Sequence, residues 1–206
     1  MLRKARIAVL VSGGGTNLQA LLDAQASGTL HSGEIVAVIS SKPDVYALTR
    51  AENAGVPGFV AARKSCASQA EFEEKISAVL REQQVDLIIL AGFMSILSAD
   101  FTSRWPERII NVHPALIPSF CGKGAYGLKV HEMALEYGVK VTGATVHFVN
   151  EIPDGGKILL QKAVDILPDD TAETLQRRVM EQAEWILLPR AAEMVSAALM
   201  NEKENA

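Results

Sequence analysis

The 206-residue chain has little cysteine and few aromatics: two cysteines, Cys66 and Cys121, and 5% aromatic residues. Two isolated thiols build neither a disulfide framework nor a thiol metal site, and they read as reduced cysteines of a cytoplasmic protein. An excess of positive charge is also missing. Lysine and arginine number 20 against 24 acidic residues, a formal net charge of −4 with a sequence pI near 5.6. That balance leaves no basic surplus for a nucleic-acid groove or an anionic membrane surface, so neither partner is expected. No apolar run approaches the ~20 residues of a membrane span. The basic Arg3-Lys4-Ala5-Arg6 precedes an apolar run of residues 7–11 only, too short for the core of a secretion signal. What remains is a 49% hydrophobic, 21% charged chain, enough to bury one large core.

The apolar residues 7–11 have the composition of a strand buried on both faces. Ser12-Gly13-Gly14-Gly15-Thr16-Asn17 follows at once, and Leu18, Leu21 and Leu22 then take helical spacing as far as Gly28. Strand, glycine loop, helix is the arrangement in which main-chain N–H groups at a helix start hold an anion. Consecutive glycines do not fit the dinucleotide fingerprint, and no Lys-Ser/Thr follows them as a Walker loop requires. A plain tight turn is the bland alternative. Three adjacent glycines exceed its needs and favour one phosphate group, with Ser12, Thr16 and Asn17 as added donors.

Further strands are predicted at residues 34–40, 55–60 and 85–92, with helices at 45–54 (capped by Asp44) and from Ser68 through Leu80. The apolar loop 92–97 either lines a pocket for a flat ring or belongs to the core. Ser98 caps a segment ending around Pro106, and a helix over 129–137 carries His131. Residues 141–149 and 157–164 read as a hairpin. A helix from Thr171 stops at Pro189, another covers 190–200, and 201–206 is a frayed polar tail. β–α alternation through residue 92 predicts an α/β fold: an open, mostly parallel twisted sheet with helices on both faces, and a mixed extension in the C-terminal half. A soft boundary near residue 100 divides one domain, residues 1–206, into halves that share a continuous core.

The polar residues that interrupt this apolar pattern carry the chemistry. In Ile109-Ile110-Asn111-Val112-His113-Pro114, Asn111 and His113 lie on one face of a strand that Pro114 ends. Alone, the pair fits loop bracing as well as catalysis. Thr145 and His147 share a face of a later strand, and the turn after it contains Asp154-Gly155-Gly156. A carboxylate beside an imidazole raises its pKa and orients it, and a neutral amide can donate to a developing oxyanion. Asn, His and Asp together suit acyl transfer to an amine. With no serine or cysteine obviously placed as nucleophile, direct transfer is simpler than a covalent intermediate. A histidine metal site is the rival, but His113, His131 and His147 lack close ligand spacing.

The glycine loop, Leu90-Ala91-Gly92-Phe93-Met94-Ser95-Ile96-Leu97, the Asn111-Val112-His113-Pro114 segment, Gly143-Ala144-Thr145-Val146-His147-Phe148-Val149 and Asp154-Gly155-Gly156 occur in one order. In that order they resemble the phosphoribosylglycinamide formyltransferases, over nearly the whole chain. The resemblance implies formyl transfer from 10-formyltetrahydrofolate to the amine of glycinamide ribonucleotide in purine synthesis, without a metal, by a monomer or homodimer. It assigns catalysis to Asn111, His113 and Asp154. It gives the phosphoribosyl group to Gly14, Gly15, Thr16, Asn17 and Glu184. It gives the folate to Met94, Ser95, Ile96, Leu97, Asn111, Asn150 and Asp154, with Thr145 and His147 in support. Ser95 stands where many relatives carry arginine, Trp185 where histidine is common, and residues 120–127 replace a shorter proline-glycine loop. A deformylase, or a formyltransferase acting on a tRNA or sugar amine, is the nearest alternative. A non-catalytic nucleotide-binding module and a purely structural α/β protein are further ones.

Overall fold

The computed structural model describes residues 3–204. Seven strands make one sheet: β1 (Ala5–Val11), β2 (Gly33–Ser40), β3 (Gly58–Val60), β4 (Leu87–Leu90), β5 (Ile109–His113), β6 (Val141–Phe148) and β7 (Ile158–Asp165). Their spatial order is β3-β2-β1-β4-β5-β6-β7. Neighbours from β3 to β5 are parallel, and the β5–β6 and β6–β7 pairs are antiparallel. The open parallel sheet with a mixed extension is therefore the fold that the sequence predicted. From β1 the chain winds outward through β2 and β3, then returns to lay β4 on the other side. That reversal opens a crevice at the carboxyl ends of β1 and β4, where such folds bind ligands.

The helices are α1 (Thr16–Ala26), α2 (Tyr46–Asn53), α3 (Gln69–Glu82), α4 (Ala99–Ser103), α5 (Leu128–Tyr137), α6 (Ala172–Val179) and α7 (Trp185–Glu204). Both faces of the sheet are covered because alternate strand residues point to opposite sides. Ile7, Val9 and Val11 pack with Leu18 and Leu21 of α1, Ala47 of α2 and Leu188 of α7. Ala8 and Leu10 pack with Phe72, Ile76 and Leu80 of α3 and Phe101 of α4. Cross-links tie the strand ends at the crevice: Ser12 Oγ lies 2.6 Å from Ser41 Oγ and accepts the Met94 N–H at 2.9 Å.

Five local expectations need correction. Asp44 does not cap α2. It sits one residue early in a left-handed conformation (φ 54°), and Val45 is the flanking residue. Residues 55–57 stay outside β3, and α4 ends at Ser103 rather than near Pro106. Pro189 does not end a helix either. A π-helical turn, Met180–Glu184, precedes α7, and Pro189 lies inside it. The wider winding has already interrupted the regular bond ladder one turn before the proline, which softens the cost of its missing N–H. Finally, helix continues through Glu204, so 201–204 is no frayed tail; residues 205 and 206 lie outside the described region.

Buried Asp86 anchors that last helix. Its carboxylate accepts the Arg6 N–H at 3.0 Å and the Lys203 ammonium at 2.5 Å. Burial pushes the Asp86 pKa up, but the Arg6 N–H and Lys203 outweigh it and hold it below the ordinary value. Its contribution is therefore complete above the unfolded pKa of about 3.9 and is lost as the pH falls through the lower folded value. Asp86→Ala should cost roughly 1–3 kcal/mol at pH 7, because it strands a buried N–H donor. Urea unfolding would measure this, and the difference from the parent should shrink below about pH 4.

Candidate active site

The antiparallel register of β5 on β6 assembles the centre. Asn111 lies opposite His147, and His113 opposite Thr145. Thr145 braces the backbone. Its hydroxyl donates to the Ala115 carbonyl at 2.7 Å and accepts the Ile117 N–H at 3.1 Å. It thereby fixes the chain just after Pro114 turns it out of the sheet. His147, 1% exposed, has Nδ1 2.8 Å from the Phe148 carbonyl and Nε2 3.2 Å from the Asn111 side-chain nitrogen. A carbonyl only accepts, so Nδ1 carries the proton and Nε2 accepts from Asn111. One Asn111 N–H is spent there, and the other remains to face a ligand.

Asp154 arrives from the turn after β6. Its own φ is 57°, a left-handed conformation that aspartate tolerates better than most residues. Gly156 is obligatory for the turn, since a Cβ there would lie 1.7 Å from the Phe148 carbonyl oxygen. The Asp154 carboxylate accepts the Gly122 N–H at 2.8 Å, which joins this turn to the loop 120–127. Oδ2 stands 3.6 Å from His113 Nδ1, and Oδ1 stands 3.7 Å from His147 Nε2. The aspartate thus lies beside both imidazoles, just beyond direct hydrogen-bond reach. His113 Nε2 donates to the Phe120 carbonyl at 2.8 Å, which leaves the Nδ1 lone pair facing Asp154.

The expected rise in the His113 pKa is reversed. Burial lowers it, and the opposing pull of Asp154 and the Phe120 carbonyl does not make up the difference. The imidazole is neutral at neutral pH. Asp154 is also buried, but His147, His113 and the Gly122 N–H hold its pKa below the usual carboxylate value, so it is ionised.

Two cavities meet at Asn111 and Asp154. One, of about 120 Å³, is lined by Phe93, Ser95, Ile96, Leu97, His147 and the turn 149–154. It gathers Ser95, Ile96, Leu97 and Asn150, four of the residues that the resemblance assigns to folate. The other, of about 200 Å³, is lined by Asn17, Met94, His113, His131, Met180 and Glu184 among others. Met94 therefore faces the second cavity, apart from its predicted companions. The chain bends at Gly92 (φ 69°), and Met94 and Ser95 come to face different cavities.

Glu184 ends the π turn, 6% exposed, and accepts the Asn17 Nδ2–H at 2.7 Å. Burial pushes its pKa up to about 7, against the lowering effect of that hydrogen bond. One Asn17 side-chain N–H is thus given to Glu184, which orients the amide at the wall of the second cavity. Ser12 is spent on Ser41 and Met94. The main chain of the glycine loop is more open: a Cβ at Gly13 or Gly14 would meet nothing within 4 Å. Gly15 instead serves close packing. Its φ is 75°, and a Cβ there would lie 2.7 Å from that of Ala47.

Two participants, Phe120 and Arg50, escaped sequence reasoning, and a third, His131, was weighed only as a metal ligand. Phe120 contributes only a carbonyl, which any residue could supply. Arg50 reaches the glycine loop across 36 positions of sequence, its Nε donating to the Gly14 carbonyl. His131 is 1% exposed, and among the described residues neither ring nitrogen has a hydrogen-bond partner. Burial, and then the charge of His113, pull its pKa down to about 4. Its place in the amphipathic α5 gave the only signal, an imidazole on a buried helix face.

Comparison with known proteins agrees with this geometry. A family model described as formyl transferase matches residues 5–191. The human trifunctional purine biosynthetic protein adenosine-3 is 45% identical over 203 residues, covering 98% of this chain and 19% of that protein. The chain thus spans about a fifth of the length of such relatives. A phosphoribosylglycinamide formyltransferase from Haemophilus influenzae is 42% identical over 97% of this chain and 91% of its own length. The crystal structure of glycinamide ribonucleotide transformylase 1 from Symbiobacterium toebii superposes with a TM-score of 0.88. That match has 40% identity and covers 95% of this chain and 89% of that one. With a matched family model from near the first strand into the last helix, and a relative of like length above 40% identity, the chain belongs to the formyl transferase family.

Proposed function

We propose that the chain transfers the formyl group of 10-formyltetrahydrofolate directly to the amine of glycinamide ribonucleotide, as a step of purine synthesis. One observation carries the reading: Asn111 and Asp154 stand where two cavities join, one largely apolar and one closed by the Asn17–Glu184 pair next to the glycine loop. The apolar cleft suits a flat pterin, and the second cavity suits a phosphoribosyl amine. The names and identities of the relatives support the same pair of substrates. Residues 1–100 supply the phosphate loop of a single domain. Residues 101–206 supply the chemistry, the 149–154 wall of the folate cleft and Glu184 for the ribose hydroxyls, while residues 93–97 of the first half form the cleft's other wall.

In this reaction the amine lone pair attacks the formyl carbon, and the carbonyl oxygen becomes an oxyanion. The free N–H of the Asn111 amide donates to it. The amine nitrogen loses a proton as its bond to carbon forms. His113, neutral beforehand, takes up a proton at Nδ1, where the Asp154 carboxylate stabilises the imidazolium from 3.6 Å. The oxyanion then re-forms the carbonyl as the carbon–nitrogen bond to the folate breaks, and the departing nitrogen takes the proton held by His113, which returns the imidazole to its neutral form. No covalent enzyme intermediate and no metal ion is needed. A deformylase would send water to the same carbon. The glycine loop and the buried Glu184 favour a phosphoribosyl amine instead.

Release of tetrahydrofolate should require both 10-formyltetrahydrofolate and glycinamide ribonucleotide. Absence of nucleotide-dependent turnover by folded protein would sink the proposal, and turnover without nucleotide would favour the deformylase. His113→Ala and Asp154→Asn should lower kcat by about 10²–10⁴-fold while both substrates still bind. A loss confined to KM would contradict these roles. Because burial lowers the His113 pKa, kcat should hold as the pH drops to 6.5 and fall only at lower values, where the imidazole becomes charged. A midpoint above 6.5 in single-turnover rates would contradict that assignment. Gly14→Val has room in the fold, yet fills the space before the loop. It should leave the melting temperature near the parent's and raise KM for the nucleotide more than for the folate; equal effects would count against a phosphate cradle.

A further inference from the structure

Arg50 lies in the last turn of α2, outside the cavities where the chemistry is assigned. Its guanidinium nevertheless acts on the glycine loop. Nε donates to the Gly14 carbonyl at 2.9 Å, and Nη1 donates to Gln19 Oε1 of α1 at 2.8 Å. The Tyr46 ring backs the guanidinium, with its centroid 4.8 Å away. One residue earlier in the loop, the Gly13 carbonyl accepts the Ala47 N–H at 3.2 Å. Helix α2 therefore holds two successive loop carbonyls.

A trans peptide sets its C=O and the following N–H in opposite directions. With the carbonyls of Gly13 and Gly14 drawn toward α2, the N–H groups of Gly14 and Gly15 point away from it. Among the described residues, neither N–H donates to another protein group. The space before Gly13 and Gly14 is open, whereas Gly15 abuts Ala47. These N–H groups continue the row of free donors in the first turn of α1, where the first internal bond is that of Gln19 to Gly15. Consecutive aligned N–H groups form an anion-binding concavity.

Arg50 also lines, with Thr16, Gln19, Asp23 and Trp185, a cavity of about 340 Å³ that flanks this loop.

We propose that Arg50 is a positioning residue for the nucleotide phosphate: by holding the Gly14 carbonyl, it turns the loop N–H groups toward the anion. The inference rests on the proposed reading of the loop as the phosphate site. It separates orientation from charge, because lysine can restore the charge but not the fixed Nε contact braced by Gln19.

The test compares the parent with Arg50→Ala and Arg50→Lys. Arg50→Ala should raise KM for glycinamide ribonucleotide by about 10- to 100-fold, the range for losing a charged hydrogen bond. Its kcat and its KM for the formyl donor should stay within about twofold of the parent's, since no reacting group is touched. The penalty should vanish with the corresponding riboside, which lacks the phosphate. Arg50→Lys should recover only part of the loss. Full recovery would reduce Arg50 to a charge and overturn the orienting role. An equal penalty on the riboside, an unchanged KM, or an Arg50→Ala chain that circular dichroism finds unfolded would each overturn it as well. A parent enzyme inert on the nucleotide would sink the proposed reaction instead. Arg50 would then be judged by inorganic phosphate alone: the rise in melting temperature with phosphate should be larger in the parent than in Arg50→Ala, and equal shifts would overturn the proposal.

Discussion

The antiparallel register of β5 against β6 is the constraint on which the candidate site depends. It sets Asn111 opposite His147 and His113 opposite Thr145, so residues 32 to 36 positions apart become cross-strand neighbours. A slip of one residue would turn every one of these side chains to the other face of the sheet. The register is held on both sides. Ile110 and Val112 are buried on the face opposite the polar pair, and Thr145 ties the chain beyond Pro114 to the same strand. Gly143 lets β7 close on β6, since a Cβ there would lie 2.0 Å from the Lys162 carbonyl oxygen.

Electrostatics within this frame are a contest between burial and pairing. Asp154 stays ionised because the Gly122 N–H, and either imidazole once it is protonated, oppose its desolvation. His113 stays neutral because burial outweighs the carboxylate standing 3.6 Å away. Glu184, with a single hydrogen-bond donor to offset its burial, is pushed to about 7. Three ionisable groups of one small region therefore hold different charge states at neutral pH. An acid–base reaction that must accept one proton and release another draws on such differences. The proposed phosphate end would work in another way: its donors would be main-chain N–H groups, with a fixed dipole and no titration to manage.

The fold was largely legible in sequence because its signals are local. Apolar runs at residues 7–11 and 85–90 specify buried strands, Ser68 and Ser98 cap the helices they precede, and α6 begins just after Thr171, whose side chain caps it. The failures were local signals overruled from a distance. Pro189 looks like a stop, yet the preceding π turn and the apolar seat of Leu187, Leu188 and Ala191 carry the helix through it. The polar tail looks frayed, yet Asp86 binds Lys203 across 117 positions. Met94 looks like part of one pocket wall, yet beyond the bend at Gly92 it faces the other cavity.

The sequence by itself determined the identities and the local setting of the chemistry: an amide and an imidazole at a strand end, an aspartate in a glycine turn, and a glycine loop at a helix start. Hydrophobic periodicity and turn chemistry act over a few residues, so they can be read without coordinates. Only the tertiary structure decided which groups meet, which are spent on bracing and which charge each one carries. It committed Ser12 to Ser41 and Thr145 to Ala115, and it brought Asn17 to Glu184, Arg50 to Gly14 and Phe120 to His113. It also reversed the expected shift of His113. Those outcomes depend on distance and desolvation, which packing of the whole chain sets and no short stretch of it contains.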